Sequence, residues 1–212
     1  MTECAPVISV LPADAHKPGP GGGSKTRSAG VPIAQVEVRV VDGAGQDVAR
    51  GTVGELIARG PTVMQGYWNK PRETADALRD GWMHTGDGAY QDEDGHLYVV
   101  DRVKDMIVTG GENVYSAEVE NAIATMPQVL QAAVIAIPDE LFGERVHAVI
   151  VPRADAVLTE EAVIQHCRNL IAGYKVPRSV EFRDALPTSA AGKLLKHALR
   201  RPFWQGRERA VN

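Results

Sequence analysis

The chain has 212 residues, a net charge of −4, 44% hydrophobic and 24% charged residues, which suits one or two compact domains rather than a disordered polypeptide. The mild acidity gives no electrostatic footprint for nucleic acid, and no apolar run is long enough for a transmembrane helix. No signal peptide is read at the N-terminus, and Cys4 and Cys167 lie too far apart for a C-x-x-C or metal spacing. The expectation is two free thiols in a cytoplasmic protein. The six histidines do not cluster, so no metal site is built on them.

In chain order, residues 17 to 30 are rich in Gly, Pro and Ser and read as a loop. Gln35 to Val41 alternates apolar and polar residues, as a half-buried strand does, and Asp42-Gly43 marks a turn after it. Short strands follow at Glu55–Ala58 and His96–Val100, with a helix from Pro71 to Leu78 opened by its proline. Beyond Arg102 the pattern changes. Ser116 is read as an N-cap, with Glu118 and Glu120 favoured in the first turn and Val119, Ile123 and Met126 on one face. Apolar strands are expected at Val129–Ile137 and Arg145–Val151. Thr159 caps a second helix with Val163, Ile164, Cys167, Leu170 and Ile171 at amphipathic spacing. Ser179–Arg183 reads as a last strand, and Leu194–Arg201 as a basic helix stopped by Pro202.

The expected fold class is therefore α+β. A small β-rich, barrel-like part covers residues 1–101, and a compact α+β domain covers 102–212.

One glycine-rich stretch, Gly19 to Thr26, imitates a P-loop. A P-loop needs glycine directly before its lysine, so that backbone N–H groups can wrap phosphate, and here that residue is Ser24. The upstream segment is no buried strand, and Val31-Pro32 cannot readily continue a helix. The stretch reads as a surface loop.

Three other segments carry chemistry when taken in order: Gly81-Trp82-Met83-His84-Thr85-Gly86-Asp87, then Asp101-Arg102-Val103-Lys104-Asp105 running on to Gly110-Gly111-Glu112-Asn113-Val114-Tyr115, then Pro187-Thr188-Ser189-Ala190-Ala191-Gly192-Lys193. Each alone is ordinary turn chemistry. In this register, with Gly60 to Pro71 upstream, they resemble the C-terminal signatures of acyl-CoA synthetases, enzymes of the adenylate-forming superfamily. Met1-Thr2-Glu3 is similar to the end of that family's Y-G-x-T-E motif.

The resemblance implies roles residue by residue. Thr2, Asp87 and Arg102 would bind nucleotide, Asp87 accepting from both ribose hydroxyls, as a carboxylate can. Glu3 would help hold Mg2+, which prefers hard oxygen ligands. Lys104 would be the hinge of a mobile C-terminal lid. Gly110 and Gly111 would line the coenzyme A channel. Lys193 would be the adenylation lysine, bridging the substrate carboxylate and the α-phosphate as charge redistributes. The implied reaction joins ATP and a carboxylic acid, expected to be fatty, into an acyl-adenylate, which the thiol of coenzyme A then attacks. ATP, Mg2+ and coenzyme A are the implied cofactors and co-substrates. The Gly-Glu-Asn-Val-Tyr run points to ligases for fatty or aryl acids rather than to peptide-synthetase modules. Asp101 and Ser116 stand where many relatives have Gly and Pro.

The family's phosphate-wrapping loop and most of its acyl pocket are expected in an upstream portion of the same enzyme, so this chain alone is expected to be inactive. A rival reading is a non-catalytic nucleotide- or coenzyme A-binding module, or interaction module, derived from the same family.

Overall fold

A computed structural model describes residues 1–17 and 25–206. The glycine-rich stretch from Gly19 to Ser24 lies outside them. The chain divides into two compact units, Met1–Arg102 and Val103–Asn212.

The first unit is mostly sheet. A two-stranded ribbon pairs β1 (Ser9–Val10) with β2 (Val31–Pro32). A five-stranded antiparallel sheet runs β3 (Glu37–Val41), β4 (Gly54–Arg59), β6 (Trp82–Gln91), with β5 (Leu78–Arg79) and β7 (Leu97–Arg102) both along the far edge of β6. Its one α-helix among the described residues, α1 (Pro71–Ala77), starts on its proline, where the missing N–H costs nothing. Val40, Leu56, Ala89 and Leu97 form one small core, and Val41, Ile57 and Trp82 another. Arg39 and Arg59 both lie over the Trp82 ring, at 5.3 and 4.5 Å. The fold class read from the sequence, a β-rich part followed by an α+β part, is the one observed.

The second unit begins with a hairpin, β8 (Ile107–Thr109) and β9 (Glu112–Val114), followed by α2 (Ser116–Ala124), β10 (Val129–Asp139), β11 (Gly143–Pro152), α3 (Glu160–Arg168), β12 (Ser179–Phe182) and α4 (Lys196–Arg200). The sheet order is β10-β11-β8-β9, with β12 parallel to β11. β10 and β11 read as continuous apolar runs because both sheet faces are covered. Val134 and Ala136 point into a core shared with Val119 and Ile123 of α2 and with Val163 and Cys167 of α3. Ala133, Ile135 and Ile137 point the other way, against Leu199 of α4 and Phe203. Burial raises the Cys167 thiol to about 11, so it is inert and packs as a small hydrophobe.

Two expectations are corrected. Ser116 is not the cap of α2: Tyr115 holds that position without a side-chain bond, and the buried Ser116 hydroxyl instead accepts from Lys196 Nζ at 2.6 Å. Leu170 falls beyond the end of α3 and is exposed, whereas Val163 and Cys167 are buried as their spacing predicts. Thr159 does cap α3, accepting from Ala162 N at 3.2 Å.

Candidate functional site

In the first unit the His84–Asp87 segment is not a free turn but the middle of the ten-residue strand β6. Between the pairs Glu55↔Gly88 and Ile57↔His84, one residue of β4 stands opposite three of β6. This bulge takes Asp87 out of the β4–β6 ladder, and such bulges re-aim side chains. Gly86 adopts φ 69°, which a residue with a Cβ reaches only at a cost. Three bonds hold the bulge. Thr85 Oγ1 donates to the Leu56 carbonyl at 2.6 Å, Asp87 N donates to Thr85 Oγ1 at 3.0 Å, and Gly86 N donates to Glu55 Oε1 at 3.1 Å. The other oxygen of Glu55 lies 2.8 Å from His84 Nδ1.

Asp87 stands opposite Arg102 across the β6–β7 ladder, and Arg102 Nε meets its carboxylate at 2.8 Å. Burial pushes the Asp87 carboxyl above its ordinary value; Arg102 opposes this, and Glu55 and Glu3 add to it. Glu3 lies on a 3-10 turn, Thr2–Cys4. It accepts from the Tyr67 hydroxyl at 3.0 Å, and its own backbone N–H together with that hydroxyl holds it below the usual carboxylate range. Its carbonyl accepts from Met64 N at 2.8 Å, which ties the turn to the Gly60–Trp68 segment. Glu3, Asp87 and Arg102 thus share one electrostatic neighbourhood. Thr2, next to Glu3 in the sequence, is exposed.

The second unit carries the remaining candidates. Lys104 lies in a 3-10 turn, Val103–Asp105, at the unit's start. Gly110 and Gly111 are the two central residues of the β8–β9 hairpin, between the paired Thr109 and Glu112. Both have positive φ, 60° and 84°, as a type I′ turn demands. Gly110 packs tightly: a Cβ there would lie 3.1 Å from Phe142 Cδ1, and its N–H donates to the Phe142 carbonyl at 2.9 Å. Among the described residues, apart from its chain neighbours, none comes within 4 Å of where a Gly111 side chain would project. Arg178 lies 4.2 Å over the Phe142 ring.

Lys193 is exposed at the end of a small hairpin. Ser189 N donates to the Lys193 carbonyl at 2.8 Å, Lys193 N donates to Ser189 Oγ at 3.1 Å, and Gly192 turns the chain with φ 75°. Thr188 and Leu194 pair across the base.

Sequence reading missed the carboxylates behind these residues. Glu55 and Glu120 fall in ordinary strand and helix patterns, and their partners are 31 and 14 residues away. Among the described residues, Asp92, Asp94 and His96 bring ligand atoms within 4.8 Å of one another. Lys25 already pairs with both carboxylates, at 2.5 and 2.9 Å, and Asp92 serves as the turn residue for the Asp94 and His96 amides.

The family described as "AMP-binding enzyme" matches residues 1–68, and "AMP-binding enzyme C-terminal domain" matches 118–193. A feruloyl-CoA synthase from Amycolatopsis is 48% identical over 203 residues, covering 96% of this chain and 40% of that protein. A long-chain-fatty-acid–CoA ligase from Yersinia pestis is 48% identical over 201 residues, covering 94% and 34%. Among solved structures, o-succinylbenzoate CoA synthetase from Bacillus subtilis, in complex with its acyl-adenylate intermediate, superposes with TM-score 0.84 at 34% identity, over 94% of this chain and 39% of that one. ATP-bound MatB from Rhodopseudomonas palustris gives 0.77 at 37% identity, over 87% and 37%. The chain thus spans between a third and two fifths of the length of these relatives. By these matches along both units, the chain belongs to the adenylate-forming, AMP-binding enzyme superfamily.

Proposed function

We propose that this chain supplies the nucleotide-contacting edge and the mobile lid of an ATP-dependent acyl-CoA synthetase. The observation that carries this is the grouping of Glu3, from its 3-10 turn, and Arg102, from β7, around the Asp87 carboxylate that the β6 bulge presents. Asp87 accepts from the ribose hydroxyls, and Arg102 holds its carboxylate in place from across the ladder. Thr2 contacts the nucleotide. Glu3 is an ionised hard-oxygen donor, and Mg2+ is commonly held by one or two carboxylates together with substrate phosphates, so the residue fits that ion. When bound, the ion would neutralise phosphate charge. Lys193, long and exposed, is delivered to the reacting carboxylate and withdrawn as the lid turns about Lys104. The open side of Gly111 then leaves room for the pantetheine arm.

The acid is read as a fatty acid. A second reading, an aryl acid, is favoured by a relative named as a feruloyl-CoA synthase that is as similar as the long-chain ligase.

The test is pyrophosphate release from ATP with a panel of fatty and aryl acids. It compares this chain alone with the chain carrying the upstream sequence of its gene. Activity in the longer protein only, abolished by Lys193→Ala, supports the proposal. Inactivity in both favours the non-catalytic binding module. Activity in the short chain refutes the assignment of the phosphate loop to an upstream portion.

A further inference from the structure

α4 has five residues, Lys196–Arg200, far below the ~12 at which an isolated helix becomes even marginal in water. Tertiary contacts must hold it. Lys196, Leu199 and Arg200 fall at i, i+3 and i+4, one face of the helix. Leu199 is fully buried against the face formed by β10 and β11, among Ala133, Ile135, Ile137 and Val149. Lys196 Nζ meets Glu120 Oε1 at 2.6 Å and Ser116 Oγ at 2.6 Å, both on α2. Arg200 Nη1 donates to Asp105 Oδ1 at 2.8 Å and to the Lys104 carbonyl at 2.9 Å. These are sheltered pairs: Arg200 and Asp105 are each 12% exposed and Lys196 is 13% exposed.

Glu120 does a second job, accepting from Val134 N at 2.7 Å on the outer edge of β10. Just beyond α4, Trp204 Nε1 donates to the Ala136 carbonyl of the same edge at 3.0 Å. The helix and the segment after it, through Trp204, are therefore fixed to α2, to β10 and to the 3-10 turn that opens the unit.

The exposed Lys193 hairpin ends directly before α4. Leu194 packs against the Leu199 cluster, and Leu195 N donates to the Pro187 carbonyl at 2.9 Å. We infer that α4 is a strut that makes the Lys104 carbonyl and the Lys193 hairpin one rigid piece, with Lys196 and Arg200 as positioning residues for Lys193. Because the Lys104 carbonyl is held by Arg200, a turn at the hinge moves the lysine hairpin as a body instead of dissipating in the loop. An adenylation step that depends on where an exposed ammonium arrives needs such a connection, since a displacement of ~1 Å can cost ~100-fold.

This inference rests on the proposed role of Lys193, and the test separates the two. In the full-length protein, Lys196→Met and Arg200→Met are compared in two half-reactions: adenylate formation, and thioester formation from synthetic acyl-adenylate and coenzyme A. The expected result is a fall of ~10- to 100-fold in the turnover of adenylation. KM for ATP and the thioester step should stay within about twofold, with partial rescue in Lys196→Arg and Arg200→Lys. Glu120→Gln, which keeps an acceptor for Val134 N, gives a milder version of the same split. Hydrogen exchange should quicken at Ser189, Lys193 and Leu195 while the β11 amides stay protected, which also verifies that each variant folds. Equal losses in both half-reactions, or no loss in either, would overturn the strut while leaving a Lys193→Ala defect standing. If Lys193→Ala itself leaves adenylation intact, the proposed function fails first.

Discussion

Removing the Glu55 carboxylate should loosen the segment that presents Asp87 without unfolding the rest of the first unit. Glu55 accepts from Gly86 N at 3.1 Å and meets His84 Nδ1 at 2.8 Å, and its side chain is 20% exposed. Its third contact, to Arg79 at 3.6 Å, is exposed on the arginine side and contributes little. A hydrogen bond to a charged acceptor contributes about 1.5–3 kcal/mol when sheltered. With two such bonds and partial solvent access, Glu55→Ala should cost about 2–3 kcal/mol locally. Glu55→Gln retains one acceptor oxygen and should cost about 1 kcal/mol. A two-unit chain does not justify one global unfolding energy, so the assay must be local. Hydrogen exchange read at the Gly86 and Asp87 amides gives the opening free energy of the bulge directly. Amides of β3, paired with the far side of β4, serve as the internal reference. If Glu55→Ala changes the opening energy at Gly86 by less than about 0.5 kcal/mol, the bulge is held by its glycine and Thr85 alone, and the role given to Glu55 is wrong.

The hairpin glycines give a paired test. Gly111→Ala meets open space and should cost only the left-handed backbone term, about 1 kcal/mol, whereas Gly110→Ala adds a contact 3.1 Å from Phe142 and should cost about 2 kcal/mol or more. In a unit of roughly a hundred residues these correspond to Tm losses of about 4–8 °C per kcal/mol, and equal losses for the two variants would contradict the packing of Phe142 on Gly110. His147 should make the second unit acid-sensitive. Its ring is buried, lies 5.2 Å from the Phe203 ring at a tilt of 57°, and sits 2.7 Å from Ser179 Oγ by Nδ1 and 3.6 Å from Glu181 by Nε2. Burial holds its pKa below 6.5, so the unfolded chain takes up the proton first as pH falls. Stability should therefore decline as pH drops below about 6.5, and His147→Gln should flatten that part of the profile in urea titrations between pH 7.5 and 5.

Much of this fold could be read from local pattern. β10 and β11 announce themselves because burial on both faces leaves long apolar runs, Ala132–Ile137 and Ala148–Val151, and α3 because Thr159 caps it and Val163 and Cys167 share a face. The bulge in β6 was not readable: Gly86-Asp87 is equally good turn chemistry, and only pairing with β4 and β7 turns it into a strand. Ser116 misled for a related reason. A serine before Glu118 and Glu120 fits a helix start, but its hydroxyl is claimed by Lys196, 80 residues away. Asp87, Lys193 and the hairpin glycines were legible because they sit on backbone that needs glycine: Gly86 before Asp87, Gly192 before Lys193, and Gly110-Gly111.

Two of the proposed contact residues, Asp87 and Lys193, are built alike, and the likeness explains which residues sequence reading finds. Asp87 and Lys193 each follow a glycine at positive φ that bends the chain outward. Neither is held there by its neighbours alone. Behind Asp87 stands Glu55, which binds the Gly86 amide from another strand; behind the Lys193 hairpin stands Glu120, which holds Lys196 from another helix. A turn with a glycine is soft by itself, because glycine has the most conformational freedom to lose. A charged acceptor brought from a distant element restores the rigidity where the side chain must arrive in register, and it does so without touching the substrate. Motifs are short because the turn is local, while the carboxylate that stiffens it lies tens of residues away with no fixed spacing to reveal it. By this logic Glu55→Ala should weaken nucleotide affinity only through Asp87. In the Asp87→Ala background, the Glu55 substitution should add nothing further to the loss of ATP binding, and an additive loss would show that Glu55 contacts the nucleotide itself.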